Sequence, residues 1–174
     1  GYVYKKQAVV TPTSGVLTCT VNSIILDASG STAGVSYLWT GGTTGSTLSV
    51  STPGDYTVTV TGSNGCTDSK TVSITKDEAK PTAVVTPTSG VLTCTVNSII
   101  LDASGSTAGV SYIWTSGTTS STLSVTTPGD YTVTVTGSNG CTDSKTVSIT
   151  KDETKPTAVV TPTSGVLTCT VNSI

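Results

Sequence analysis

The side chains of this 174-residue chain best suited to chemistry are its five cysteines, Cys19, Cys66, Cys94, Cys141 and Cys169. No Cys-x-x-Cys pair and no histidine accompanies them, which argues against a zinc site. The first four fall as two pairs, each spanning 47 residues. A cysteine pair in a small, Thr-rich, sparsely charged unit reads as an extracellular disulfide framework. The spacing predicts bridges Cys19–Cys66 and Cys94–Cys141, with Cys169 left over. Closing such a loop stabilises by roughly 4 kcal/mol in the chain-entropy model, a large share of the stability of a small domain. The alternative is a pair of buried free thiols per unit.

Other chemistry finds few candidates. Serine and threonine are abundant, but no histidine is present to activate them, and no serine stands in a Gly-x-Ser-x-Gly elbow. The carboxylates lie in turn-like or linker-like sequence rather than as a cleft pair for glycoside chemistry. Asp27 and Asp102 each begin an Asp-Ala-Ser-Gly-Ser run. There an Asx-type turn competes with a calcium site. Asp77-Glu78 and Asp152-Glu153 supply two adjacent carboxylates, where calcium wants six to eight oxygens, so solvated linker charge is expected. The sequence predicts no enzyme, no cofactor and no metal. Eight basic residues against ten acidic ones, a net charge of −2, offer no basic patch for nucleic acid. No apolar run is long enough for a membrane-spanning helix.

These residues recur because the sequence recurs. Residues 8–79 match residues 83–154 at 67 of 72 positions, and residues 158–174 begin a third copy. The period is 75 residues, and the substitutions are mild: Leu38/Ile113, Gly41/Ser116, Gly45/Ser120, Ser51/Thr126 and Ala79/Thr154. An enzyme needs one site, whereas near-identical tandem copies suit a spacer, stalk, fibre or multivalent binder. The expected organisation is a leader strand over 1–7, repeats over 8–79 and 80–154, and a truncated third repeat over 155–174.

Within a repeat the polarity alternates with period two. Tyr56, Val58 and Val60 share one face of a Thr-rich segment, as do Val72 and Ile74, and Val35, Tyr37 and Trp39. Such segments are half-buried strands whose wet face suits β-branched threonine. Turn sequences such as Pro12-Thr-Ser-Gly15, Pro53-Gly-Asp55 and Gly62-Ser-Asn-Gly65 separate them. The pattern predicts an all-β sandwich of about seven strands: 8–12, 16–20, 23–28, 35–40, 47–51, 56–61 and 68–75. Its core should contain Tyr37, Trp39 and Tyr56, repeated as Tyr112, Trp114 and Tyr131. Exposed sugar-stacking platforms are the alternative for the two tryptophans. A short linker containing Pro81 should keep consecutive domains extended. Tyr2, Val3 and Tyr4 lie in a strand-like segment able to add to a neighbour's open sheet edge.

The runs Ile25-Leu-Asp-Ala-Ser-Gly-Ser31, Tyr37-Leu-Trp39 and Pro53-Gly-Asp-Tyr-Thr-Val-Thr-Val60 resemble the PKD-like and immunoglobulin-like repeats of bacterial surface proteins. The ending Gly62-Ser-Asn-Gly-Cys-Thr67 is similar to repeats of large secreted Bacteroidetes proteins, including gliding adhesins and type IX secretion cargo. The resemblance implies tandem immunoglobulin-like sandwiches in a secreted or cell-surface setting. Two departures stand out. The acidic Gly-rich turn of PKD sequences is here Thr40-Gly-Gly42 and Thr115-Ser-Gly117. Cys66 lies ten residues after Tyr56 rather than two, which places any bridge toward one end of the sandwich.

The sequence therefore points to a non-enzymatic structural repeat region of an extracellular bacterial protein, forming a stalk or filament and self-associating into fibres or multimers. A multivalent adhesin for glycan or a cell-surface ligand, and a spacer of a large secreted enzyme, are the alternatives.

Overall fold

The computed structural model describes residues 7–31, 35–107, 111–161 and 164–165. The strand-donor candidates Tyr2, Val3 and Tyr4, and most of the third copy with Cys169, lie outside the described residues. The described secondary structure is entirely β, and it builds two hydrophobic cores, one per repeat.

Among the described residues the first repeat has the strands β1 (Ser14–Thr18), β2 (Ile24–Asp27), β3 (Val35–Trp39), β4 (Thr47–Val50), β5 (Gly54–Gly62) and β6 (Thr67–Asp77). The second repeat adds β7 (Ser89–Leu92), β8 (Ile99–Asp102), β9 (Ser111–Trp114), β10 (Thr122–Val125), β11 (Gly129–Thr136) and β12 (Thr142–Lys151). The sheets are β1-β6-β5-β3 and β2-β4, and correspondingly β7-β12-β11-β9 and β8-β10. The β3-β5-β6 and β2-β4 pairings match the CFG and BE pairings of the immunoglobulin sandwich.

Among the described residues each repeat carries six strands rather than the expected seven. Residues 8–12 contribute only an isolated bridge, Thr11 to Asp27. Their backbone groups are taken by side chains instead of by a ladder. Ala8 N–H donates to Asp68 Oδ2 at 2.7 Å, and Val9 N–H to Ser31 Oγ at 3.1 Å. Ser31 returns a bond to the Val9 carbonyl, which satisfies this buried hydroxyl. Pro12 has no N–H with which to extend a pairing. Ala83, Val84, Ser106 and Asp143 repeat the arrangement in the second copy.

Alternation places the apolar residues as the pattern requires. Val58 and Val60 on β5 and Val72 and Ile74 on β6 are buried, with Leu17, Leu26 and Val50 closing the core from the other strands. On the wet face, Thr57 Oγ1 lies 2.7 Å from Thr71 Oγ1, and Thr59 Oγ1 lies 3.2 Å from Ser69 Oγ, each pair directly opposed across the ladder. Trp39 and Trp114 are 1% and 2% exposed. Their indole N–H groups donate to the carbonyls of Gly45 and Ser120, each at 2.9 Å. The exposed-platform alternative for these residues is thereby corrected: a ring this buried has no face free for a sugar. Tyr37, Tyr56, Tyr112 and Tyr131 are half-buried against the cores. Tyr56 hydroxyl reaches back to the Thr52 carbonyl at 2.9 Å, and Tyr131 to that of Thr127 at 2.8 Å.

The polarity of the edge strand fixes where the cysteines stand. β1 runs parallel to β6, with Ser14 opposite Ser73 and Thr18 opposite Asp77. Cys19 therefore emerges beside the C-terminal end of β6, whereas Cys66 immediately precedes its N-terminal end. At about 3.3 Å per residue, β6 separates the two thiols by roughly 35–40 Å. Cys19 and Cys66 occupy opposite poles of one sandwich.

Truncating Trp39 to Ala removes the largest buried side chain of the first core and strands its carbonyl partner. A loss of ~3–5 kcal/mol is expected. A denaturant titration in which repeat 1 of Trp39→Ala unfolds at the wild-type midpoint would contradict this packing.

Candidate functional site at the repeat junction

At the C-terminal pole of repeat 1, the chain leaves β1 through a tight turn. Thr18 N–H donates to the Val21 carbonyl at 2.9 Å, and Thr18 Oγ1 accepts from Val21 N–H at 3.0 Å. The threonine hydroxyl does for the turn what an Asx or ST motif does elsewhere. Its effect is to hold Cys19 and Thr20 out at the tip.

At the N-terminal pole of repeat 2, β11 and β12 are joined by Gly137-Ser-Asn-Gly-Cys141. Gly140 has φ +76°, a left-handed conformation natural to glycine. Gly137 N–H donates to the Cys141 carbonyl at 2.8 Å, and Asn139 Oδ1 accepts from Cys141 N–H at 3.0 Å.

These two turns meet. Cys19 is disulfide-bonded to Cys141, 122 residues away and in the other repeat, with Cα atoms 5.0 Å apart. The expected pairs Cys19–Cys66 and Cys94–Cys141 are thus corrected: Cys66 and Cys94 are free and exposed. The physical reason is the parallel β1–β6 register. A disulfide needs Cα atoms within about 7 Å, and the two cysteines of one repeat lie at opposite poles. Cys19 and Cys141 find each other across the junction instead.

Further contacts reinforce the bond. Asn139 Nδ2 donates to the Ala79 carbonyl at 2.8 Å and to Asp77 Oδ1 at 3.0 Å, tying the second repeat to the linker. A Cβ placed on Gly140 would lie 2.5 Å from Thr20 Cγ2, so only glycine leaves room for that threonine. Pro81 is buried against this turn, and a Cβ on Gly137 would touch its Cδ at 3.6 Å. An open cleft of about 200 Å³ runs between the linker and residues 137–139, with Thr107 on its wall. The equivalent residues without a neighbour behave differently. Cys141 is 1% exposed while Cys66 is open, and Asn139 and Gly140 are half-buried while Asn64 and Gly65 are exposed. The cysteines stand out in the sequence, but Asn139, Thr20 and Gly140 were not singled out there. The Asn-Gly immediately before each second cysteine was the available signal.

The other sequence candidates are local. Asp27 Oδ1 accepts from Ser29 N–H at 2.7 Å, and Asp102 Oδ1 from Ser104 N–H at 2.8 Å, which are Asx turns. Glu78 pairs with Lys76 at 3.0 Å and Glu153 with Lys151 at 2.9 Å, all four side chains about half-exposed, so these pairs contribute little. Among the described residues no cluster of three or more metal-ligating side chains occurs.

Four carboxylates sit below the usual range because local donors favour their charged form. Ser29 lowers Asp27 through its backbone N–H and then its side chain. Ser104 lowers Asp102 through its side chain and then its backbone N–H. Thr154 acts on Asp152 through backbone and side chain, and the N–H groups of Ala83 and then Ser144 act on Asp143.

No family model and no curated protein matches the chain. Among solved structures, it overlays on the three N-terminal domains of the bacteriophage RB49 highly immunogenic outer capsid protein. The identity is 16% and the TM-score 0.48, over 86% of this chain and 59% of that one. Murine CEACAM1b gives 13% identity and a TM-score of 0.36 over 85% of this chain and 100% of that one. Drosophila OTK extracellular domains 3–5 give 15% and 0.38 over 84% and 62%. The chain thus spans less than two thirds of the phage and OTK structures it matches.

The lowered carboxylates set a pH dependence. A group whose pKa is depressed on folding contributes fully above its unfolded value, near pH 4, and loses that contribution as pH falls through the folded value. Thermal midpoints should be flat from neutral pH to about 5 and fall below about 4. Asp143→Asn should melt lower than wild type at pH 7, with the gap closing in acid. A gap independent of pH would contradict the role of the Asp143 charge.

Proposed function

We propose that this chain is a non-enzymatic structural repeat region of a secreted or cell-surface bacterial protein, built of PKD-like immunoglobulin sandwiches joined pole to pole into an extended stalk or extracellular filament. The observation that carries this reading is the Cys19–Cys141 disulfide, which crosses the junction instead of lying within a repeat.

A linker alone is a hinge. A linker plus a disulfide plus the Asn139 bonds forms several attachments at one pole, and bending about any one of them strains the others. Tension applied along the chain is then shared between the linker and a covalent bond outside it. An entropic stabilisation of up to about 5 kcal/mol attends closure of so long a loop, so the staple also couples the folding of the two repeats. A bond of this kind persists in oxidising surroundings, which supports an extracellular location. The 75-residue period then sets the pitch, and the number of copies sets the length.

A second reading, multivalent adhesion, draws support from exposed apolar side chains that recur once per repeat. Ile25 and Ile100 are 64% and 63% exposed, and Leu38 and Ile113 are 52% and 50% exposed. Identical weak contacts at a fixed step add through avidity. The same recurrence suits lateral packing of parallel stalks.

Small-angle scattering of the intact chain should give a rod that lengthens by roughly 35–40 Å per repeat. Cys141→Ser should broaden the distance distribution, lower the thermal midpoint and separate the unfolding of the two repeats. A folded-back particle, or a scattering profile and melt unchanged by Cys141→Ser, would contradict the stalk.

A further inference from the structure

The junction between the repeats is made of parts that each repeat carries at its other pole as well. Repeat 2 reproduces the C-terminal pole of repeat 1. Thr93 N–H donates to the Val96 carbonyl at 2.9 Å and Thr93 Oγ1 accepts from Val96 N–H at 3.0 Å, which holds Cys94 and Thr95 as Cys19 and Thr20 are held. Asp152 and Thr154 stand where Asp77 and Ala79 receive Asn139, and the Asp152 carboxylate turns back onto Thr154 N–H as Asp77 does onto Ala79. Repeat 1 likewise reproduces the N-terminal pole of repeat 2. Gly65 has φ +75°, Gly62 N–H donates to the Cys66 carbonyl at 2.9 Å, and Asn64 Oδ1 accepts from Cys66 N–H at 3.2 Å. The Asn64 amide nitrogen, unlike that of Asn139, has no bond to a linker among the described residues. Cys66 and Cys94, the free thiols among the described residues, are both exposed.

We infer that Cys94 and Cys66 are two half-junctions, each shaped to bond the complementary pole of a further repeat. The first cysteine of every repeat bonds the second cysteine of the repeat after it. The occupant of each pole is a further copy of this same repeat, docked head to tail, and a second copy of the chain supplies both complementary poles as the probe. The Cys94 pole of one copy receives the Cys66 turn of the next, with Asn64 on Asp152 and the Thr154 carbonyl, and Thr95 seated over Gly65. The contact is heterologous, so it propagates rather than closing on itself.

More than a lone cysteine supports this junction. The same two turns are already bonded inside the chain, and the burial of Cys141 against the exposure of Cys66 measures what the neighbour covers. The bond forms by thiol–disulfide exchange with a small-molecule disulfide oxidant such as oxidised glutathione. One thiolate attacks oxidised glutathione, forming a mixed disulfide and releasing a glutathione thiol. The second thiolate then attacks the protein sulfur of that mixed disulfide and releases the other glutathione thiol. Two protein thiols are thereby oxidised to one disulfide, and one oxidised glutathione is reduced to two thiols. This inference deepens the stalk reading and rests on it.

The test uses the full chain with Cys169→Ser in every sample, so that only the two poles react. Cys66→Ser keeps the Cys94 pole and Cys94→Ser keeps the Cys66 pole. Treated with oxidised glutathione, each variant alone should remain monomeric on a non-reducing gel. An equimolar mixture should give a covalent dimer and nothing larger, joined Cys94 to Cys66 by peptide mapping. The parent with both thiols should give a ladder. Homodimers of either variant at comparable yield, an internal Cys66–Cys94 bond in the parent, or a mixture that stays monomeric would each overturn the proposal. Matching circular dichroism melts establish that both variants are folded. The same peptide maps report Cys19–Cys141. Its absence would sink the stalk reading itself, whereas its presence without a mixed dimer would sink only the head-to-tail junction.

Discussion

The parallel pairing of β1 with β6 is the constraint on which the rest depends. It sends the chain out of β1 at the pole where β6 ends, and so puts the first cysteine of a repeat roughly 35–40 Å from the second. No bridge within a repeat is then geometrically open. The polarity that forbids the internal bond creates the external one, because each repeat presents a first cysteine at its exit pole and a second at its entry pole. When the linker brings exit to entry, Cys19 meets Cys141. A domain that would otherwise use its cysteines for its own stability uses them to fix its neighbour.

The core carries the stability that the missing internal bridge does not supply. Trp39 fills the middle of the sandwich with its N–H satisfied by Gly45, and Val58, Val60, Val72 and Ile74 pack around it from the two longest strands. The hydroxyl pairs Thr57–Thr71 and Thr59–Ser69 hold the register of β5 against β6 on the outer face. The charged residues concentrate in the linker, where Asp77 serves both the local turn, through Ala79, and the next repeat, through Asn139. Surface, core and junction are thus chemically distinct parts of one repeating unit.

Much of this was legible in the sequence, because period-two alternation is a direct consequence of the pleat. β5 and β6 could be read from Tyr56-Thr-Val-Thr-Val60 and Thr71-Val-Ser-Ile74, and the burial of the tryptophans from their place on β3 and β9. Two features were not legible. Residues 8–12 alternate like a strand, but side-chain acceptors 22 and 60 positions away capture their N–H groups, and alternation carries no information about such distant partners. The disulfide pairing failed for a related reason. Equal spacing within each copy suggests an internal bridge, whereas the pairing is decided by whether β1 lies parallel or antiparallel to β6, a non-local choice that no local pattern encodes. Asn139 carries no local signature of its role, because its amide finds partners only when a preceding repeat supplies Asp77 and Ala79.

Which cysteines are joined decides whether the repeats are stapled to each other or closed on themselves. Proteolysis of the oxidised chain with thiols blocked, followed by mass spectrometry without reduction, identifies the cross-linked peptides directly. The expected result for the monomeric chain is a single bridge joining the peptides of Cys19 and Cys141, with Cys66 and Cys94 recovered as blocked thiols. Recovery of Cys19 linked to Cys66 and Cys94 linked to Cys141 would contradict it, since that pattern requires the poles of one sandwich to touch.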